Sequence, residues 1–327
     1  MKNRVSDYIR ANWRTIIEYS LVIASGWIFL LLASSWTSPL YPYSYGYDAS
    51  WYSLGGRAIV EGRVPFRDFF DLKGPVLFFY EALGQFFIRG RGGVFLIQCL
   101  SMAFTVGFFW RSERIYLKRW QSAIILALFY YVYTPLLWGG NSAEELFMPF
   151  NMIAIFYGLT FIEKGDDDSF PVEKVSLIFG IGFALAALSK VTIAAALISV
   201  MVTVVILLLY RREFGRLGKA ALYFVLGAFF VTLPVFAYFA MNGALEDFIF
   251  CSFIFALKRS TDYYESFSVE WELNLVICWA GIIVGLLLPR KGKRRGGGAY
   301  KLLLVLMSLI LYGLLHLGTP YLYYFIS

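Results

Sequence analysis

Long apolar runs recur from one end of this 327-residue chain to the other. Runs of about 17–25 residues are what an α-helix needs to cross the hydrocarbon core of a bilayer. Only 16% of the residues are charged, whereas soluble domains carry about 25%. A transmembrane β-barrel would alternate apolar and polar residues in segments of about ten, and these runs do not alternate. The sequence therefore predicts an all-α polytopic membrane protein, with a single transmembrane domain over residues 1–327.

The predicted domain has about nine or ten transmembrane helices. Spans are expected at 16–37, 93–110, 121–138, 146–163, 175–189, 191–209, 219–241, 273–289 and 301–317. A further apolar segment, 76–88, is short for a span, so it either dips into the membrane and returns or crosses as a short helix. Basic residues precede the first span, and the positive-inside rule places that N-terminus in the cytoplasm. The first run is too long for a cleavable signal peptide and lacks a small-residue cleavage site.

The nine-span arrangement divides the connecting segments by charge. Three segments that carry carboxylates lie outside, namely the long first loop 38–75, the short loop 139–145 and the later outer segment 242–272. The basic loops fall in the cytoplasm, at 111–119, 211–219 and 289–301. The net charge of +7 is then a topology signal, and no nucleic-acid partner is expected.

The first outer loop concentrates charge beside the membrane. Residues 47–75 contain four acids and four Lys or Arg residues, and charge this close to bilayer-embedded sequence is costly unless it has a use. A surface-lying helix is expected from Asp48 to Glu61, with Gly62 ending it. Its apolar residues fall near one face, and these are Trp51, Leu54, Ala58 and Ile59.

Two further expectations concern the same loop. Arg57 and Glu61 are four residues apart, the spacing of an ion pair on one helix face. The stretch around Pro65 is expected to be extended, and Pro75 suits the start of the next helix.

The order of residues in this loop resembles a known family. Asp48, Gly62, Pro65-Phe66-Arg67-Asp68 and Lys73-Gly74-Pro75 are similar to the first extracytoplasmic loop of GT-C glycosyltransferases. The likeness is greatest to the bacterial branch related to protein mannosyltransferases and lipid A aminoarabinose transferases. These multispanning enzymes take a sugar from a polyprenyl-phosphate carrier. The resemblance implies a GT-C-like fold with interfacial helices in a long first loop.

Weaker similarities continue along the chain. They are the stretch from Gly140 through Asn141, Glu144 and Glu145 to Pro149, then Lys190, the segment 243–255, and the tail 318–327. The tail departs from the family's pattern, because Leu322 or Tyr323 stands where a histidine is common. The chain also stops where relatives usually continue through further helices, so a short version of the fold is expected.

The resemblance implies roles for the charged residues of the loop. Asp48 matches the family's catalytic aspartate and is the expected general base. Asp68 or Asp71 is the alternative base, unless each merely pairs with Arg67 or Lys73. For the carrier phosphate the candidate cations are Lys73, Arg67 and Lys190.

The remaining candidates lie farther along the chain. Lys190 sits within an apolar stretch, where a lysine costs roughly 2.5–3.5 kcal/mol at the bilayer centre; snorkelling at a helix end is the alternative use. Glu144 and Glu145 either hold the sugar or the acceptor, or cap the helix that follows. Arg259 and His316 are weaker candidates for binding the phosphate.

The implied activity is an inverting transfer of a sugar from a polyprenyl-phosphate carrier to a glycan, lipid or protein acceptor. A base takes the acceptor's proton, and cations stabilise the leaving phosphate. No cofactor is required; a Mg²⁺ or Mn²⁺ ion bridging the phosphate to Asp48 and Asp68 is conceivable, although no metal-ligand spacing is present. Cys99, Cys251 and Cys278 fit neither a disulfide framework nor a zinc site. The expected location is the bacterial cell (inner) membrane among membrane lipids, with the site on the extracytoplasmic side.

Two other classes of function stay open. A transporter or lipid flippase would also have many spans and buried charge, but alternating access needs a site at mid-membrane, and the polar residues here collect on one side. A non-catalytic GT-C-like scaffold is favoured by the missing tail histidine and the early terminus.

Overall fold

The computed structural model describes residues 2–41, 45–137, 139–164, 170–255 and 297–315, together with Trp279, Ala280, Ile283 and Leu287. All regular elements in this part of the chain are helical. The α-helices are α1 (Lys2–Ala33), α2 (Tyr47–Val60), α3 (Pro75–Phe87), α4 (Arg91–Glu113), α5 (Arg119–Leu136), α6 (Ala143–Lys164), α7 (Val172–Ala187), α8 (Ala195–Tyr210), α9 (Phe214–Met241), α10 (Leu245–Ile249) and α11 (Gly297–Leu315). A 3₁₀ turn at Val191–Ala194 precedes α8, and a π-helical turn at Phe250–Phe255 follows α10.

Five helices in the described part are long and apolar enough to cross a membrane. They are α1 from Asn12, α4, α6 to Glu163, α8 with the preceding turn from Thr192, and α9. The prediction of an all-α membrane protein is thus confirmed at this level. The helices α5 and α7, which the sequence also predicts as spans, are 18 and 16 residues long. The predicted span at 273–289 lies almost wholly outside the described residues.

The first long helices run antiparallel and define two ends of the bundle. At the middle of α1, Glu18 accepts a hydrogen bond from the Trp110 indole near the end of α4, at 2.9 Å. Just after α1, Ser34 lies 3.4 Å from the Gln98 amide in the first half of α4. The loop 34–46 and the start of α4 are therefore at the same end, called the α2 end below. Glu18 marks the opposite end.

Helix α3 begins and finishes at the α2 end. At its start, the Gly74 N–H donates to the Ser189 carbonyl at 2.8 Å. Near its finish, the Gln85 amide donates to the Ser53 hydroxyl on α2 at 2.9 Å. Since α4 also starts at the α2 end, α3 returns the chain to the side from which it came.

Helices α2 and α3 pack closely because Gly56 has no side chain between them. A Cβ added to Gly56 would lie 2.5 Å from the Cβ of Glu81 and 2.7 Å from the Ala82 nitrogen. The buried face of α2 therefore carries mostly small residues, whereas the predicted apolar face remains accessible, with Trp51 and Leu54 exposed by 37% and 56%. In a membrane protein, such a face is available to lipid rather than to the protein core.

The stretch around Pro65 is a tight turn, so the prediction of an extended segment is wrong. The Phe66 N–H donates to the Phe69 carbonyl at 2.8 Å, and the Asp68 N–H donates to the Val64 carbonyl at 2.9 Å. Phe66 has a φ of 70° and is buried against Phe239 and Phe248, with ring centroids at 5.6 and 5.9 Å. This packing on the end of α9 and on α10 holds the residue in a left-handed conformation that a phenylalanine rarely adopts.

The predicted helix limits in the loop agree with the structure. Helix α2 ends at Val60, and Gly62 follows with a φ of +86°. Pro75 occupies the first turn of α3. The guanidinium of Arg57 lies 2.7 Å from the Glu61 carboxylate, which confirms the predicted i,i+4 pair.

Candidate functional site

The site depends on a backbone contact between two distant parts of the chain. The N–H of Gly74 donates to the Ser189 carbonyl at 2.8 Å, and the N–H of Val76 donates to the Leu188 carbonyl at 3.1 Å. A Cβ on Gly74 would lie 2.0 Å from the Leu188 carbonyl oxygen, so only glycine permits this approach. The contact sets Lys73, which precedes Gly74, beside the segment that carries Lys190.

Asp48 and Lys73 meet at the accessible edge of this contact. The Lys73 ammonium lies 3.3 Å from the Asp48 carboxylate. The side chain of Asp48 is 52% exposed and that of Lys73 is 25% exposed. The first turn of α2 thus presents a carboxylate that has a cation beside it and remains open to other molecules.

Tyr52 supports both members of this pair from beneath. It is 2% exposed, its hydroxyl donates to the Asp48 carboxylate at 3.1 Å, and the Lys73 ammonium lies 4.5 Å from its ring centroid. Burial, followed by the charges of the carboxylates of Asp48, Glu144 and Asp71, raises the pKa of Tyr52 well above its ordinary value. The phenol therefore stays protonated and keeps donating. Tyr52 was not among the predicted site residues, although its i,i+4 spacing from Asp48 was a usable signal.

A second ion pair lies behind the first. The Lys190 ammonium is 2.7 Å from the carboxylate of Glu144, whose side chain is 2% exposed, while that of Lys190 is 18% exposed. Lys190 has an extended backbone, with φ −163° and ψ 108°, in the break between α7 and the 3₁₀ turn. Lys190 therefore lies at a helix break, and its ammonium pairs with a carboxylate. This arrangement lowers the cost that a lysine has within an apolar stretch. The charge of Glu144 also acts on Tyr52, so the two ion pairs are neighbours.

Glu144 and its neighbour Glu145 have different contacts. The Glu145 carboxylate accepts hydrogen bonds from the Gln98 amide at 2.9 Å and from the Asn141 N–H at 2.7 Å. Its own N–H donates to the Ser142 hydroxyl at 3.1 Å. This is close to a capping box, in which a serine and a glutamate satisfy free N–H groups at a helix start. Glu145 therefore has the contacts of a helix cap, whereas the carboxylate of Glu144 pairs with Lys190.

The other charged residues of the loop hold its shape. Asp68 accepts hydrogen bonds from Arg67 at 3.0 and 3.1 Å and from the Val64 N–H at 2.7 Å. These bonds to Arg67 and then to the Val64 N–H lower the pKa of Asp68 to about 2. Arg67 also donates to the Asn242 carbonyl at 2.9 Å, which ties the loop to the end of α9. Asp71 accepts hydrogen bonds from the Trp51 indole and from the Lys73 N–H, the latter at 2.7 Å.

Glu81 is a second residue that the sequence analysis missed. It faces α2 near Gly56 and is 2% exposed. A lone acid within the apolar segment 76–88 was the signal that could have identified it, because an isolated buried charge is costly.

Some predicted residues cannot be placed. Arg259 and His316 lie outside the described residues, and so does the part of segment 242–272 beyond Phe255. Within the part of the chain that the structure describes, no three His, Cys, Asp or Glu side chains are grouped as metal ligands. Cys99 and Cys251, the two cysteines described there, are free.

The comparisons with known proteins give one family. Residues 15–319 match a family model described as "Putative competence-induced protein Ccs4 N-terminal domain". No curated protein matches the chain. No solved structure matches it either.

Proposed function

The chain belongs to the family of the competence-induced Ccs4 N-terminal domain, and we propose that it is a membrane glycosyltransferase of the GT-C type. It moves a sugar from a polyprenyl-phosphate carrier to a glycan, lipid or protein acceptor, with inversion at the anomeric carbon. The observation that supports this most is the accessible Asp48–Lys73 pair, 3.3 Å apart, beside the buried Lys190–Glu144 pair. The proposal includes nine or ten spans, the bacterial inner membrane, a cytoplasmic N-terminus and an extracytoplasmic α2 end.

The proposed reaction changes charge at two places. The acceptor oxygen forms a bond to the anomeric carbon while the bond from that carbon to the phosphate oxygen breaks. The acceptor's proton passes to a base, and the electron pair of the broken bond stays on the phosphate, which gains one negative charge. The site must therefore supply a free carboxylate and a nearby cation.

Asp48 is the carboxylate in the loop best suited to act as this base. Its side chain is half exposed, and its hydrogen-bonded neighbours, Tyr52 and Lys73, both contact the same oxygen, Oδ2. In the two alternative bases, both carboxylate oxygens already accept hydrogen bonds. Those of Asp68 come from Arg67 and the Val64 N–H, and those of Asp71 come from the Trp51 indole and the Lys73 N–H. Tyr52 acts as a positioning residue that fixes the orientation of the Asp48 carboxylate.

Lys73 is the cation best placed to meet the leaving phosphate. It is partly exposed and already adjoins the proposed base. Lys190 adds positive charge behind it and is itself balanced by Glu144. Arg67, by contrast, is engaged with Asp68 and with the Asn242 carbonyl, so we assign it to anchoring the loop.

The test uses membranes containing the full chain. Polyprenyl phosphates carrying different labelled sugars are supplied together with native envelope fractions as acceptors. The Asp48→Asn variant is expected to lose transfer by about 10²–10⁴-fold, the usual contribution of a general base, while still binding the carrier. Glu61→Gln is the matched control, because Glu61 is an exposed carboxylate just after α2 that pairs only with Arg57 in the described contacts.

Three outcomes would reject the proposal. Equal transfer by wild type and Asp48→Asn removes Asp48 as the base. Carrier binding without turnover for every sugar and acceptor supports a non-catalytic scaffold instead. Accumulation of the labelled lipid in sealed vesicles, without a new glycosidic bond, supports a transporter or flippase.

A further inference from the structure

A groove lies between α1 and α5 near the opposite end of the bundle from Asp48. Its volume is about 730 Å³, within the 300–1,000 Å³ that is usual for ligand sites. Most of its walls are apolar side chains of α1 and α5, including Ile17, Leu21 and Ala127. Ile17 and Leu21 are 48% and 66% exposed. The groove therefore presents a trough for an apolar chain on the surface of a helix that is long enough to cross a membrane.

The mouth of the groove is cationic. Arg14 and Arg119 both line it, and Arg114 lies close by. Among the described residues that line the groove, Glu18 is the one acid; its carboxylate is 2.8 Å from Arg119 and 3.7 Å from Arg114. Arg114 and Arg119 pair with Glu18, and Arg14 adds a third guanidinium at the groove wall, which leaves positive charge for an anionic group.

Tryptophans surround the same mouth. Trp13 and Trp120 line the groove and are 51% and 62% exposed, and the Arg14 guanidinium lies 5.5 Å from the Trp13 ring. Tryptophan is enriched where a membrane protein meets the headgroup region. At the other end of the groove, the hydroxyls of Ser25 and Tyr130 form a hydrogen bond of 2.8 Å. Helix α1 rises about 18 Å between Trp13 and Ser25. This is somewhat more than half of the about 30 Å hydrocarbon core.

We propose that this groove binds one anionic glycerophospholipid, with an acyl chain in the trough and its phosphate between Arg14 and Arg119. The excess of guanidinium charge selects an anionic headgroup over a zwitterionic one, because each Arg near the surface contributes about a fivefold gain in binding. The positive-inside rule assigns the same end of α1 to the cytoplasmic leaflet, where anionic lipids are available.

The lipid bound here is distinct from the sugar carrier. Glu18 and Ser34 are 16 residues apart on and just after α1, a rise of about 24 Å. Ser34 belongs to the α2 end, where Asp48 lies. A phosphate held by Arg14 and Arg119 is therefore too far from Asp48 to be the reacting one, and this inference stands whether or not the chain is a glycosyltransferase.

The experiment counts lipids on the purified full chain by native mass spectrometry. Phosphatidylglycerol and phosphatidylcholine with the same acyl chains are titrated in a neutral detergent. One phosphatidylglycerol is expected to bind at least about tenfold more tightly than phosphatidylcholine. The double variant Arg14→Gln/Arg119→Gln is expected to weaken phosphatidylglycerol binding about twentyfold and to abolish the preference. Arg57→Gln, an exposed arginine at the α2 end, is the matched control and is expected to bind as wild type.

Two further variants keep the test decisive. Arg14→Gln alone leaves the ion pairs of Glu18 in place, so it replaces the double variant if that variant misfolds. It is expected to weaken phosphatidylglycerol binding about fivefold. Ala127→Trp fills the trough without changing charge and is expected to weaken both lipids. Unchanged binding in Arg14→Gln and Ala127→Trp overturns the proposal. A lipid-independent dimer that Ala127→Trp disrupts also overturns it, because a second copy of the chain is then the occupant.

Discussion

Replacing Gly74 by alanine is expected to detach the segment between α2 and α3 from the α7–α8 connection. The φ of Gly74 is −68°, which alanine adopts without strain, so any effect comes from the added methyl group alone. That methyl would lie 2.0 Å from the Leu188 carbonyl oxygen and 2.8 Å from the Ser189 nitrogen, and both are backbone atoms that cannot rotate away. The substitution must therefore break the hydrogen bonds that Gly74 and Val76 make across this contact.

The size of the effect follows from these contacts. Two hydrogen bonds contribute about 0.5–1.5 kcal/mol each, and overpacking adds about 1–3 kcal/mol, so the total loss is about 2–6 kcal/mol. The melting temperature of the purified protein in detergent should fall by at least about 3 °C. Gly107→Ala in α4 is the control, because a Cβ there meets nothing within 4 Å and alanine favours a helix. If Gly74→Ala melts with wild type and Gly107→Ala, the two segments are not docked as described.

Three more predictions concern the pairs around this contact. Glu144→Gln is expected to lower the free energy of unfolding by about 3–5 kcal/mol because it removes the carboxylate that pairs with the Lys190 ammonium. The double variant with Lys190→Met should lose less stability in thermal unfolding than the sum of the two single variants. Strictly additive losses would contradict the pairing. Asp68 has a folded pKa of about 2, below its ordinary 3.8, so its ionised form stabilises the protein above pH 3.8 and this advantage is lost as the pH falls toward 2. The melting-temperature difference between wild type and Asp68→Asn should shrink over that interval, and a constant difference would show that the charge is not responsible. Tyr52→Phe removes the hydrogen bond to Asp48 but keeps the ring, so transfer should slow about 2- to 10-fold with carrier affinity unchanged; an unaltered rate would exclude the positioning role.

The local features of the loop were predictable because short-range rules govern them. The limits of α2, the Arg57–Glu61 pair and the start of α3 at Pro75 each follow from residues within four positions of one another. The helical membrane class follows equally from run length and charge content. Lys190 was identifiable as a special residue because a lysine within a long apolar stretch needs a partner.

The assembly of the site was beyond sequence reasoning for a physical reason. The contact of Gly74 with Leu188 joins segments more than a hundred residues apart, and a single sequence carries no signal for such a pairing. The turn at Phe66 was missed for the same reason, because its left-handed backbone is held by Phe239 and Phe248, which are distant in the chain. Glu144 and Glu145 look alike in sequence, and only the positions of Lys190 and Gln98 distinguish them.

The backbone contact between Gly74 and Ser189 has a consequence for biosynthesis. A ribosome adds about 5–20 residues per second. The segment with Leu188 and Ser189, whose carbonyls bind the loop, is therefore synthesised on the order of ten seconds after Gly74. Until then the N–H groups of Gly74 and Val76 lack the carbonyls of Ser189 and Leu188 that they bind in the folded protein. The candidate site is therefore completed only after α7 has been synthesised, and nascent chains halted before residue 188 should leave residues 73–76 open to protease.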